Sequence, residues 1–153
     1  MITLEHPLDE ASRAFLKSVE EFAQKEVAPF ADEWDHDEKL PREIFTKAGK
    51  IGLMGMIAPK EFGGRGLSYV TAAFAIKELG KVFAALSMDI AAHNSLAVGQ
   101  INQFGTVEQK QKYLPQTHKW RMARRLGLDR AERRKRHRRN RNARPGKWRS
   151  LAD

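Results

Sequence analysis

Four consecutive residues, Asp35, His36, Asp37 and Glu38, put carboxylate and imidazole donors into one polar stretch, the side chains that hold divalent cations. Consecutive residues rarely converge on one ion, and no spaced histidine pair supports them, so a solvated acidic turn is expected. The run "EFGGRG", Glu61 to Gly66, is rich enough in glycine to suggest a phosphate cradle. A dinucleotide loop needs G-x-G-x-x-G after a strand, and Gly64 and Gly66 would demand a third glycine where Tyr69 stands. A tight turn between helices with positive-φ glycines is the better reading. His93 can face a ligand, although a hydrogen-bonded core or surface histidine is the default. No G-x-S-x-G elbow occurs. Zero cysteine excludes thiolate metal sites, cysteine nucleophiles and disulfide scaffolds, and suits a cytoplasmic protein. These residues by themselves form no catalytic constellation.

The segment from Ala84 to Phe104 differs from the rest in carrying many small side chains: Ala84, Ala85, Ser87, Ala91, Ala92, Ser95, Ala97 and Gly99. Small residues let a second body approach a helix closely, either another helix or a slender ligand such as an acyl chain. Close helix packing is the commoner use.

The elements that would position this segment follow from spacing. Phe15, Val19, Phe22, Val27 and Phe30 recur every three to five residues opposite Lys17, Glu20, Glu21, Lys25 and Glu26, which predicts an amphipathic helix that Pro29 bends or ends. Pro41 opens a short helix expected to stop at Gly49. Ile51 to Ser68 holds five glycines and a proline, and should be an irregular connector packed through Leu53, Met54, Met56 and Ile57. Ser68 caps a helix expected to stop at Gly80, and the small-residue helix should stop at Gly105. Thr106 and Gln109 form a capping box for a last helix closing at Pro115. The fold class is therefore all-α, with no internal repeat.

At 153 residues the chain has room for one core. The net charge is +9, yet from Thr117 onward fifteen Lys and Arg stand against three Asp and Glu, so the positive charge sits in that stretch and the body is mildly acidic. Large apolar residues are sparse there, and a disordered basic C-terminal tail, 117–153, is expected after a domain spanning 1–116. The N-terminus has neither a signal-peptide pattern nor transit-peptide composition, and Val82 to Gln103 is too interrupted by polar residues to span a membrane.

"GLMGMIAPKEFGGRGLSYV", Gly52 to Val70, and "AAHNSLAVGQINQFGTVEQKQKYLP", Ala91 to Pro115, resemble the amino-terminal helical domain of the acyl-CoA dehydrogenase family, nearest to its short-chain members. The shared pattern is P-x-E-x-G-G-x-G-L, a small-residue helix, F-G-[ST]-x-E-Q-K and Y-L-P. The resemblance implies a flavoenzyme of three parts: this helical bundle, a β domain and a second helical bundle. It implies FAD as cofactor, acyl-CoA as substrate, electron-transfer flavoprotein as partner, and a dimer or tetramer. In the family a glutamate of the last domain takes the α-proton while the β-hydrogen leaves as hydride to flavin. Neither that glutamate nor the β domain is present, so no catalytic residue carries over, and this chain alone is expected to be inactive and to bind no cofactor. The small helix lines the acyl slot in the family, which transfers substrate contact to Ala92, Ser95, Leu96 and Gly99.

After Y-L-P the family continues through S-G-E-x-x-G-x-x-x-[ST]-E-P-x-x-G-S-D, whereas this chain reads "THKWRMARRLGLDRAERRKRHRR". Trp is encoded only by TGG and Arg codons begin with C or A, so Trp120 and Arg121 read one base later give glycine. Met122 with Ala123 likewise gives tryptophan. With G/C-rich codons elsewhere, Lys119 to Arg139 reads in that frame as "SGEWLGAWGSTEPNAGSDTA". The expectation is a frame shift after about residue 116. The competing reading is a nucleic-acid or polyanion module whose affinity falls with salt. The tail lacks interleaved aromatics for base stacking, so such binding would be incidental.

Overall fold

The computed structural model describes residues 8–117, and every regular element among them is helical. The basic tail expected from 117–153 lies outside the described residues from 118 onward.

Helix α1, Glu10–Phe22, starts where the Asp9 carboxylate accepts the Ser12 amide at 2.7 Å. It buries Phe15, Val19 and Phe22, as the spacing predicts. The chain then widens into a π-helical turn, Ala23–Val27, and tightens into a 3-10 turn, Ala28–Phe30, that contains Pro29. Proline lacks an N–H and its ring crowds the preceding turn, so the change of pitch falls where the sequence puts the bend. Phe30, expected on the apolar face, is instead exposed and stacks on Trp34 of the short helix α2, Ala31–His36.

Helix α3, Arg42–Lys50, has Pro41 as its extended N-cap, one residue before the position expected. It runs through Gly49; the left-handed stop is Gly52, φ 87°, whose amide bonds to the Gly49 carbonyl at 3.0 Å. Helix α4, Tyr69–Val82, is capped by the Ser68 hydroxyl on the Thr71 amide at 3.1 Å, and it passes Gly80. Gly80 serves packing there: a Cβ on it would stand 3.3 Å from the Ser87 hydroxyl of helix α5, Ala84–Ala92. The two helices meet closely because a glycine faces a small residue, and buried Phe83 alone joins them.

The expected single helix over 84–104 is divided into α5, a π-helical segment His93–Gly99, and helix α6, Gln100–Phe104, which ends before Gly105. Helix α7, Val107–Thr117, opens with the predicted box: the Gln109 amide donates to the Thr106 hydroxyl and the Thr106 amide to the Gln109 side chain, at 3.3 and 2.9 Å. It does not close at Pro115. The proline sits exposed in the last turn, where it removes its own amide from the ladder, and the helix continues to buried Thr117.

The main core gathers Phe15, Val19, Phe22, Ile44, Phe45, Leu53, Met54, Leu79, Leu86 and Ile90 from α1, α3, the connector, α4 and α5. Each fully buried leucine contributes about 2 kcal/mol of transfer free energy. A second, smaller cluster joins Ala58, Val98 and Leu114, so α7 is fastened to both the connector and the π-helical segment.

Candidate functional site

The glycine-rich connector is ordered by its own backbone. The amides of Gly63, Gly64, Arg65, Gly66 and Leu67 donate in turn to the carbonyls of Lys60, Pro59, Gly55, Ala58 and Met56, at 2.8–3.1 Å. Five successive N–H groups are thus committed to the chain itself. A phosphate cradle needs such groups free to point at an anion, so the loop cannot act as one. Gly63 and Gly66 have positive φ, as a turn requires, while Arg65 lays its guanidinium over the Phe15 ring, 4.7 Å from the centroid.

His93 and Asn94, both buried, grip the other end of this connector. The Asn94 amide nitrogen donates to the Leu53 carbonyl at 2.7 Å and to the Ile90 carbonyl at 3.0 Å, and its oxygen accepts the Met56 amide at 3.1 Å. His93 Nε2 lies 3.1 Å from the Met54 carbonyl, so the ring carries its proton on that nitrogen. Histidine in the core is the ordinary outcome anticipated from sequence. Asn94 was not anticipated. A buried carboxamide among alanines, beside a glycine-rich segment needing partners for its amides, is the signal that could have revealed it.

The four positions transferred by resemblance divide between two directions. Ser95 and Leu96 point outward, Leu96 with 67% of its surface exposed, and Ala92 is half-buried beside them. Gly99 faces inward: a Cβ there would lie 3.1 Å from the Asn94 carbonyl and 3.6 Å from Ile57. Met88, 65% exposed, precedes Ala92 and Leu96 along the helix. The outward surface is small and apolar, with Ser95 turning its hydroxyl back to the Ala91 carbonyl at 2.8 Å. It offers walls rather than reacting groups.

Elsewhere, Asp35 to Glu38 are exposed, and among the described residues no group of three or more His, Cys, Asp or Glu is placed to hold a metal. Among them, too, no helix is long and apolar enough to cross a membrane. Two carboxylates are shifted. The Ser12 side-chain and backbone hydrogen bonds hold Asp9 below the ordinary carboxylate value, and the Thr106 side chain does the same for Glu108. Both belong to helix starts, those of α1 and α7.

Residues 9–120 match the family model for the acyl-CoA dehydrogenase N-terminal domain. The chain is 45% identical over 96 residues to the short-chain specific acyl-CoA dehydrogenase of Clostridium acetobutylicum, a match covering 63% of this chain and 25% of the relative. Among solved structures, butyryl-CoA dehydrogenase from Megasphaera elsdenii superposes with a TM-score of 0.70 at 28% identity, over 76% of this chain and 31% of that one. A structure described as the electron transferring flavoprotein of Acidaminococcus fermentans gives 0.71 at 34% identity, over 76% and 30%. The chain spans about a quarter of the length of the curated relatives it matches.

Proposed function

Because the chain belongs to the acyl-CoA dehydrogenase family through its N-terminal domain, we propose that it is the helical domain, 1–116, of an FAD-dependent enzyme converting acyl-CoA thioesters to 2-enoyl-CoA. The observation that carries this is the match over 9–120, in which the connector and the small-residue helix stand in the family's order. In the complete enzyme the flavin accepts the hydride. On this reading the flavin is held by parts of the enzyme outside this domain, in keeping with a glycine-rich loop whose amides are taken up by the carbonyls of Lys60, Pro59, Gly55, Ala58 and Met56. Its own contribution is a preformed apolar wall of Ala92, Ser95 and Leu96, with Gly99 letting the helix lie close to Ile57.

On this reading the residues after about 116 are the family's cofactor-contacting segment translated one base out of frame, and their arginines follow from codon arithmetic rather than selection for phosphate contacts. Acyl-CoA, electron-transfer flavoprotein and a dimeric or tetrameric assembly belong to the complete enzyme. Nucleic-acid binding by the tail is incidental. The test is direct: purified chain should show no flavin absorbance and no oxidation of butyryl-CoA with an artificial acceptor. Stoichiometric flavin with turnover would overturn the reading that this polypeptide lacks the catalytic parts.

A further inference from the structure

The π-helical segment His93–Gly99 raises the question of what holds a wide turn in a run of residues that would otherwise form an ordinary α-helix. π turns are rare, and this one carries side-chain bonds to its own backbone. Asn94 donates to the Ile90 carbonyl and Ser95 to the Ala91 carbonyl, at the mouth of the wide turn. The same Asn94 carboxamide reaches Leu53 and Met56, and His93 reaches Met54, so the connector and the turn are tied by three bonds across 38 to 41 residues of sequence. Asn94 uses both amide hydrogens and its oxygen in these contacts, leaving one acceptor site over.

We propose that Asn94, supported by His93, is a positioning residue that fixes the helical register of the segment and thereby decides which side chains face outward. Resting on the reading of Ala92, Ser95 and Leu96 as the wall of an acyl slot, this makes Asn94 the residue that presents the wall. A change of one residue in pitch rotates everything beyond it by about 100°. Ala97 would then take the exposed place Leu96 now holds, or Leu96 the buried place Ala97 now holds, and either way the two residues would come to share one environment.

The 153-residue chain contains no cysteine, so a single engineered thiol is a unique probe. The rate of labelling by a thiol-reactive dye is measured in Leu96→Cys and, separately, Ala97→Cys, and the ratio of the two rates reports the register. The ratio should be high in these backgrounds, and Asn94→Asp, which turns a donor into an oxygen facing two carbonyls, should lower it about tenfold or more through local opening. Asn94→Ala, which adds no charge, should act in the same direction if the aspartate variant does not fold. His93→Gln keeps an N–H donor and should preserve the ratio. Val19→Ala, which weakens the core away from this turn, should preserve it as well. A ratio untouched in both Asn94 variants, or lowered equally by Val19→Ala, overturns the proposal. The slot reading fails by a different sign: coding DNA that continues into no dehydrogenase, with the labelling ratios as expected.

Discussion

Gly64 passes so close to Ala58 that a Cβ on it would stand 2.1 Å from the Ala58 carbonyl oxygen and 2.5 Å from the Ala58 Cβ. The contact is backbone against backbone, since the Gly64 amide bonds to Pro59 at 3.1 Å and the Gly66 amide to the same Ala58 carbonyl at 2.8 Å. Ala58 in turn packs on Val98 and Leu114, so the turn is seated against the π-helical segment and α7.

Gly64→Ala should therefore destabilise the domain by about 2 kcal/mol or more, because neither partner can yield without breaking the amide ladder. Gly63→Ala, at φ 84°, should cost about 1 kcal/mol through backbone strain. Thermal or urea unfolding followed by circular dichroism measures both. A larger loss at Gly63 than at Gly64 would contradict the steric assignment.

Acid stability should depend on Asp9. Its carboxyl is held below the ordinary value by Ser12, so it contributes stability above the unfolded-state value, about 3.9, and that contribution disappears as pH falls through the lower folded value. Asp9→Asn should flatten this part of the profile and leave the neutral-to-alkaline limb unchanged in shape. Urea midpoints between pH 2 and 5 give the comparison. An identical acid slope in the variant would remove Asp9 from the account.

Met88, Leu96 and Phe104 leave large apolar side chains exposed on the α5–α6 run, with Tyr69 and Val107 exposed on neighbouring elements. Surfaces of this kind promote association when nothing covers them. The purified chain should elute as self-associated species, and Leu96→Lys together with Phe104→Lys should shift it toward monomer in light-scattering chromatography. A monodisperse wild-type monomer would contradict this.

The all-α class was legible because apolar spacing and caps agree at each helix: Phe15, Val19 and Phe22 are buried together, and Ser68, Thr106 and Gln109 cap as their side chains allow. Stops were less legible. Gly49 and Gly80 look like terminators, but Gly52 alone carries the left-handed stop near α3, and Gly80 is kept small by Ser87, which reaches it from the next helix. Pro115 removes only its own amide from the ladder, and α7 continues past it, with the side chains of Gln116 and Thr117 donating to the Lys112 and Leu114 carbonyls. The clamp at Asn94 was hidden because its partners, Leu53 and Met56, lie around forty residues away and are backbone groups, which residue types do not reveal. Of the four wall positions, spacing could not show that Gly99 turns inward, since that depends on the wider pitch of the π segment.

The central claim is tested most directly by reading the coding DNA across codons 115 to 120 and for several hundred bases beyond. The account predicts that, one base out of register, the bases encode S-G-E, then S-T-E-P and G-S-D, and continue into the β domain of a dehydrogenase. An early stop in that frame, or a continuation with no such segment, would contradict it.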